Sequence, residues 1–136
     1  MIRFLLIVFA SVLCLGSPAQ AQATLDEAAT QFETPFKAAN VDQLALMLAP
    51  RIDINLFGAD KQYSQAQARF VLTDFFERYP PGGLDLRTPS PSGTQGFISG
   101  IYTVQGSGER LRLYARLVRD DDTWRLRELR LMRANP

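Results

Sequence analysis

The chain has 136 residues, 46% hydrophobic and 21% charged, with a formal net charge of +1. That composition excludes disorder, collagen and a disulfide scaffold, and the length suits one domain with one core. There is no His and a single Cys, which excludes Ser-His-Asp and Cys-His catalysis, His-based zinc or haem sites, and an intramolecular disulfide. The near-neutral charge gives no reason to expect a nucleic-acid partner.

Met1-Ile2-Arg3 is a short positive start, and Phe4 to Gly16 is almost unbroken apolar sequence leading to Ala19-Gln20-Ala21. This is the pattern of a cleaved secretory signal peptide over residues 1–21; Ala21-Gln22-Ala23 offers an alternative site. The apolar run is too short to span a bilayer, so no stable membrane anchor is expected after cleavage. Cys14 follows Val12-Leu13, a poor context for lipidation, and reads as one more apolar residue of this segment. The domain is then expected over 22–136, without Cys and with zero formal charge, exported to the periplasm or beyond.

Thr24-Leu25-Asp26-Glu27 is a capping-box pattern, followed by an apolar stripe through Ala28, Phe32, Phe36 and Ala39. Pro35 within it predicts a kink or a late start. Asn40 reads as a helix stop, and Val41 to Ala49 as a second short helix ended by Pro50. Arg51 to Phe57 alternates as a strand with Ile52, Ile54 and Leu56 inward, and Gly58 to Lys61 reads as a turn. Ser64 to Gln67 is another capping box. It opens a helix with Ala68, Val71, Leu72, Phe75, Phe76 and Tyr79 at helical spacing, which Pro80-Pro81-Gly82-Gly83 ends.

The second half changes period. Leu84 to Thr88 predicts a short strand and Pro89 to Gly93 a loop. Phe97 to Gln105, Arg110 to Arg119 and Thr123 to Arg133 predict three longer strands. Their short connections imply antiparallel neighbours, so the class is α+β with N-terminal helices on a curved antiparallel sheet.

Residues 110–133 hold eight Arg against Asp120, Asp121, Asp122 and Glu128. Two readings apply: a surface for anions, or a solvated outer sheet face where Arg also covers apolar neighbours. No aromatic stacking platform accompanies the arginines, which speaks further against nucleic acid. The three aspartates lack the glycine-spaced loop of an EF-hand and read as a solvated hairpin, so no metal is expected. Leu126 and Leu129 cannot both face inward in a regular strand, so the phase must switch between them, as at a bulge. Glu128 beside that switch is a candidate pocket acid, or else a surface partner of Arg112 or Arg130. Asp53 has the same two readings, its alternation with Ile52 and Ile54 favouring the outer face. Tyr63, just before the Ser64 cap, reads as a staple for that helix. Phe32, Phe36, Phe75, Tyr79, Tyr102 and Trp124 are core residues that are also candidates to line an apolar cavity between helices and sheet.

The order of pieces carries a family resemblance. Phe36-Lys37-Ala38-Ala39-Asn40, Asp53 to Gly58, Tyr63 to Ala68, Asp74-Phe75-Phe76 with Pro80-Pro81, and Glu128-Leu129-Arg130 together resemble a bacterial family of small secreted domains in the nuclear transport factor 2-like superfamily. The resemblance covers about residues 28–133. It implies a cone, with helices closing over a strongly bent sheet and a cavity at the wide end. Relatives of that fold include ketosteroid-isomerase-like and limonene-epoxide-hydrolase-like enzymes, ligand binders and dimerisation modules, so the fold does not choose the function. Those enzymes use pocket Asp, Tyr or His. This chain has no His and no residue that matches one of their motifs. The leading expectation is therefore a non-catalytic exported module, without cofactor, for a small apolar ligand or an envelope protein. The alternatives are a lyase or isomerase with Glu128 or Asp53 and a Tyr as proton shuttle, and a structural homodimer through the sheet.

Overall fold

The computed structural model describes residues 24–134. The expected signal peptide, its cleavage site and Cys14 lie outside the described residues. Helix α1 spans Leu25–Lys37, with the Thr24 hydroxyl accepting from the Glu27 N–H at 3.2 Å. Pro35 lies in its last turn, where it removes one intrahelical donor, and the helix ends two residues later. Ala39 then takes φ 53°, turning the chain so that the Asn40 N–H donates to the Pro35 carbonyl at 2.8 Å. Asn40 itself caps α2, its side chain accepting from the Gln43 N–H.

Helix α2 is shorter than its pattern suggests, Val41–Ala45. Leu46 and Met47 donate to carbonyls three residues back, a tightened last turn. Pro50 disfavours helical backbone at Ala49, and Leu48 and Ala49 are instead buried at the start of strand β1, Leu48–Leu56. Strand β2, Ala59–Ser64, replaces the turn expected at Gly58 to Lys61. The register Leu56↔Ala59 leaves Phe57-Gly58 as a two-residue connection, both at positive φ (54° and 94°). That is the backbone of a type I′ hairpin, which matches the natural twist of the paired strands.

Helix α3, Gln65–Arg78, starts with both halves of the Ser64/Gln67 capping box formed. Strand β3 is Pro81–Leu86, β4 Ser90–Ser92, β5 Gln95–Val104, β6 Arg110–Asp120 and β7 Thr123–Arg133. The Pro-Pro-Gly-Gly segment thus enters a strand, its irregularity absorbed by a register shift between Pro81 and Gly83. The segment expected as a loop at 89–93 contains the short strand β4, paired with β5.

The sheet runs β2-β1-β7-β6-β5-β3. It is mixed rather than wholly antiparallel: β1 pairs with β7 in parallel, joining the N-terminal hairpin to the C-terminal meander. A hairpin-by-hairpin reading cannot see that join, because the partners are far apart in sequence. The phase switch on β7 falls at Arg127, between the pairs Arg116↔Glu128 and Leu117↔Leu126, and leaves Leu126 and Leu129 both fully buried.

The helices close over the inner sheet face around an aromatic cluster. Phe36 stacks on Phe32 at 5.0 Å and meets Phe76 and Tyr102 edge-on at 5.0 and 5.5 Å. Phe75 meets Tyr102 at 5.6 Å and Tyr79 at 5.4 Å. Leu44, Leu48, Ile52, Leu72, Leu111 and Leu113 fill the surrounding space. Tyr63 packs at the edge of this core.

Candidate functional site

Five of the depressions on the described surface are lined by residues other than Phe32, Phe36, Phe75, Tyr79 and Tyr102. The aromatic side chains that a cone cavity would need are packed against one another. Tyr102 is fully buried and donates its hydroxyl to the Tyr79 carbonyl; burial pushes its phenol well above the ordinary range. Trp124 borders a small depression with Leu46 and Gln31.

The polar residues converge on the opposite, outer face of the sheet. Strand alternation sends Arg112, Tyr114 and Arg116 outward from β6, while Leu111, Leu113, Ala115 and Leu117 enter the core. The register then builds three rows: Asp53, Glu128, Arg116 and Phe97; next Asn55, Arg130, Tyr114 and Ser99; next Met132, Arg112 and Ile101. Phe97 stacks on Tyr114 at 6.1 Å.

Glu128 lies in this face. Its Oε2 accepts from Arg116 Nε at 3.1 Å and its Oε1 from Arg130 Nε at 2.6 Å. The carboxylate side chain is 15% exposed and Arg116 23%, while Arg130 is half exposed. Arg130 is thus one of the two partners anticipated. Arg112 is not, because it pairs across the strands with Met132, and Arg116 is the residue opposite Glu128. Burial acts to raise the Glu128 pKa, but the hydrogen bonds and charges of Arg116 and Arg130 outweigh it and hold the group below its ordinary value. Neighbouring Tyr114 is shifted upward, by burial first and then by the Glu128 charge. Proton transfer near neutrality asks for a carboxylate raised toward the working pH. Glu128 is shifted the other way and both its oxygens are engaged. Asp53 is half-buried beside it in parallel register, on the same outer face.

Two depressions adjoin on this face and share Arg112 and Tyr114. One, of about 590 Å³, is lined by Arg116, Glu128, Arg130, Met132 and Arg133. The other, of about 580 Å³, is lined by Arg87, Ser99, Gly100, Ile101, Arg110, Leu113 and Ala134. Sequence reasoning marked the arginine excess of β6 and β7 but not Ser99, which the β5–β6 pairing brings alongside, nor Arg87, which joins β5 from the β3 side. The Asp120–Asp122 segment lies apart at the β6–β7 turn, where the Asp121 carbonyl accepts from Arg119 Nε at 3.3 Å. Among the described residues no group of Asp, Glu, His or Cys is arranged to hold a metal ion.

Helices closing over one face of a bent, mixed sheet make this an α+β protein whose fold is similar to that of nuclear transport factor 2-like proteins. A model of the family described as Domain of unknown function (DUF4783) matches residues 29–131, and the chain belongs to that family. A family protein from Bacteroides ovatus has a similar structure at 15% identity and a TM-score of 0.74, covering 85% of this chain and 99% of that one. A family protein from Bacteroides uniformis gives 15% identity and 0.73, covering 79% and 97%. A nuclear transport factor 2-like protein from Cytophaga hutchinsonii gives 8% identity and 0.62, covering 79% and 93%. None of the curated proteins matches the chain. At these identities the likeness to solved structures concerns the fold.

Proposed function

We propose that this chain is an exported, non-catalytic binding module that works from the outer face of its sheet, on a ligand or partner carrying negative charge. One observation carries the reading. The side chains that would line a cone cavity are packed together in the core, while the sheet's outer face holds two adjoining depressions rich in arginine. The carboxylate within that face, Glu128, is committed to two guanidiniums, which favours a structural role for it over proton transfer. Export rests on the signal-peptide pattern of residues 1–21. A homodimer through the same face would set arginine-rich surfaces against each other, so the excess positive charge favours an acidic occupant instead.

Native mass spectrometry of protein recovered from the producing cell's envelope tests the reading. The chain is expected to begin after residue 21 or 23 and to carry a bound species. Tyr114→Ala, on the outer face, should release that species, and Phe70→Ala, at a 79%-exposed position on α3, should retain it. Retention by Tyr114→Ala, or an uncleaved cytoplasmic chain, would overturn the reading.

A further inference from the structure

The two depressions on the outer face differ in how their charge is balanced. In the one next to β7, Arg116 and Arg130 share Glu128, and Arg133 reaches Glu109 at 3.1 Å. In the one next to β3 the lining includes Arg87, Arg110 and Arg112 and no acid. All three are exposed, and none has an ion-pair partner among the described residues. Asp85 stands across Ile101 from Arg112 and lines the next depression with Lys37 and Arg110, so it borders the hollow without entering its lining.

The strands place these cations around one hollow. Arg112 pairs with Ile101 and Arg110 with Thr103 across β5–β6. Arg87 reaches the same strand from the other side, its N–H donating to the Ser99 carbonyl at 2.9 Å. Ser99 and Tyr114 pair directly, so a hydroxyl and a phenol ring border the hollow where Arg87 and Arg112 approach it. Ile101 supplies apolar surface. Guanidiniums bind carboxylate and phosphate oxygens through paired N–H donors, and three of them around one concave site repel one another until an anion enters. A volume of about 580 Å³ suits a small organic molecule.

We infer that the hollow bounded by Arg87, Arg110 and Arg112 binds a small organic oxyanion carrying two negative charges, with its apolar part against Ile101 and Tyr114. This rests on the outer face being the working surface and adds the chemistry of what that face holds. Carboxylate and phosphate share the required oxygens, and two probes separate them: phenyl phosphate and benzene-1,3-dicarboxylate.

Titrations of the whole mature chain, followed by calorimetry and by amide shifts of Ser99 and Ile101, read the binding directly. At least one probe should saturate with a Kd below about 1 mM. The probe that binds more tightly identifies the oxyanion. Arg112→Gln and, separately, Arg87→Gln should each weaken it about ten-fold, the worth of one charge-assisted hydrogen bond. Arg127→Gln, at the bulge away from the hollow, removes the same charge and should leave affinity within about two-fold. No saturation by either probe up to about 10 mM would overturn the inference. So would equal losses in Arg127→Gln and Arg112→Gln, which would mark a bulk-charge effect. If both probes fail while Tyr114→Ala still releases the envelope-bound species, the outer-face reading stands and this ligand class falls.

Discussion

Tyr102, near the end of β5, donates its hydroxyl to the main-chain carbonyl of Tyr79, the residue that ends α3. The bond ties the end of α3 to the sheet. It also satisfies the one polar atom that Tyr102 brings into the core, where the ring meets Phe36 and Phe75.

Tyr102→Phe keeps the ring and removes the bond, leaving the Tyr79 carbonyl without that donor. The expected cost is about 1–2 kcal/mol. Urea unfolding should show a lower midpoint with an unchanged slope, since the surface exposed on unfolding is the same. A midpoint equal to that of the parent protein would mean that the helix end is held by packing alone.

Glu128 gives stability a pH dependence of known sign. Its pKa is lower folded than its ordinary value of 4.5. The folded state therefore binds fewer protons, and the stabilisation is complete above that value and lost as pH falls below it through the folded pKa. Glu128→Gln should cost about 1–2 kcal/mol at neutral pH, because Arg116 and Arg130 lose a partner, discounted for the exposure of Arg130. The difference between the two proteins should shrink as pH falls below 4.5. Denaturant midpoints measured from neutrality into acid check this; a constant difference would mean that the carboxylate's charge is not what stabilises.

Gly100 and Gly96 lie in the same strand but face different obstacles. A Cβ at Gly100 would come within 2.3 Å of the Asp85 carbonyl, which is backbone of the paired strand. At Gly96 it would meet the Leu25 Cδ1 at 2.2 Å, the end of a rotatable side chain at the start of α1. Gly100→Ala should therefore destabilise by about 2–3 kcal/mol and Gly96→Ala by less than about 1 kcal/mol. Thermal melts of the two variants make the comparison, and equal losses would contradict it.

The sequence determined much of this by local physics. Alternation in residues 110–133 and the clash between Leu126 and Leu129 required a phase switch, and the structure places it at Arg127. The Ser64/Gln67 box set the start of α3. Other features were illegible because their cause is not local. Phe57 accepts a left-handed backbone that few bulky residues adopt, with its ring held by Tyr79 and by Arg133 over its face. No turn signal at Phe57 announced the hairpin. Sequence marked Glu128 and its arginines, but the pairing of Arg116 rather than Arg112 is a matter of register, which hydrogen bonds between distant strands decide. The same holds for the hollow. Residue types announced an arginine excess, and only strand pairing brought Ser99, through β5–β6, and Arg87, from the β3 side of β5, beside Arg112. Side-chain periodicity is written in neighbouring residues, whereas a concave site depends on which strands lie side by side, and that is decided by the whole chain burying its core at once.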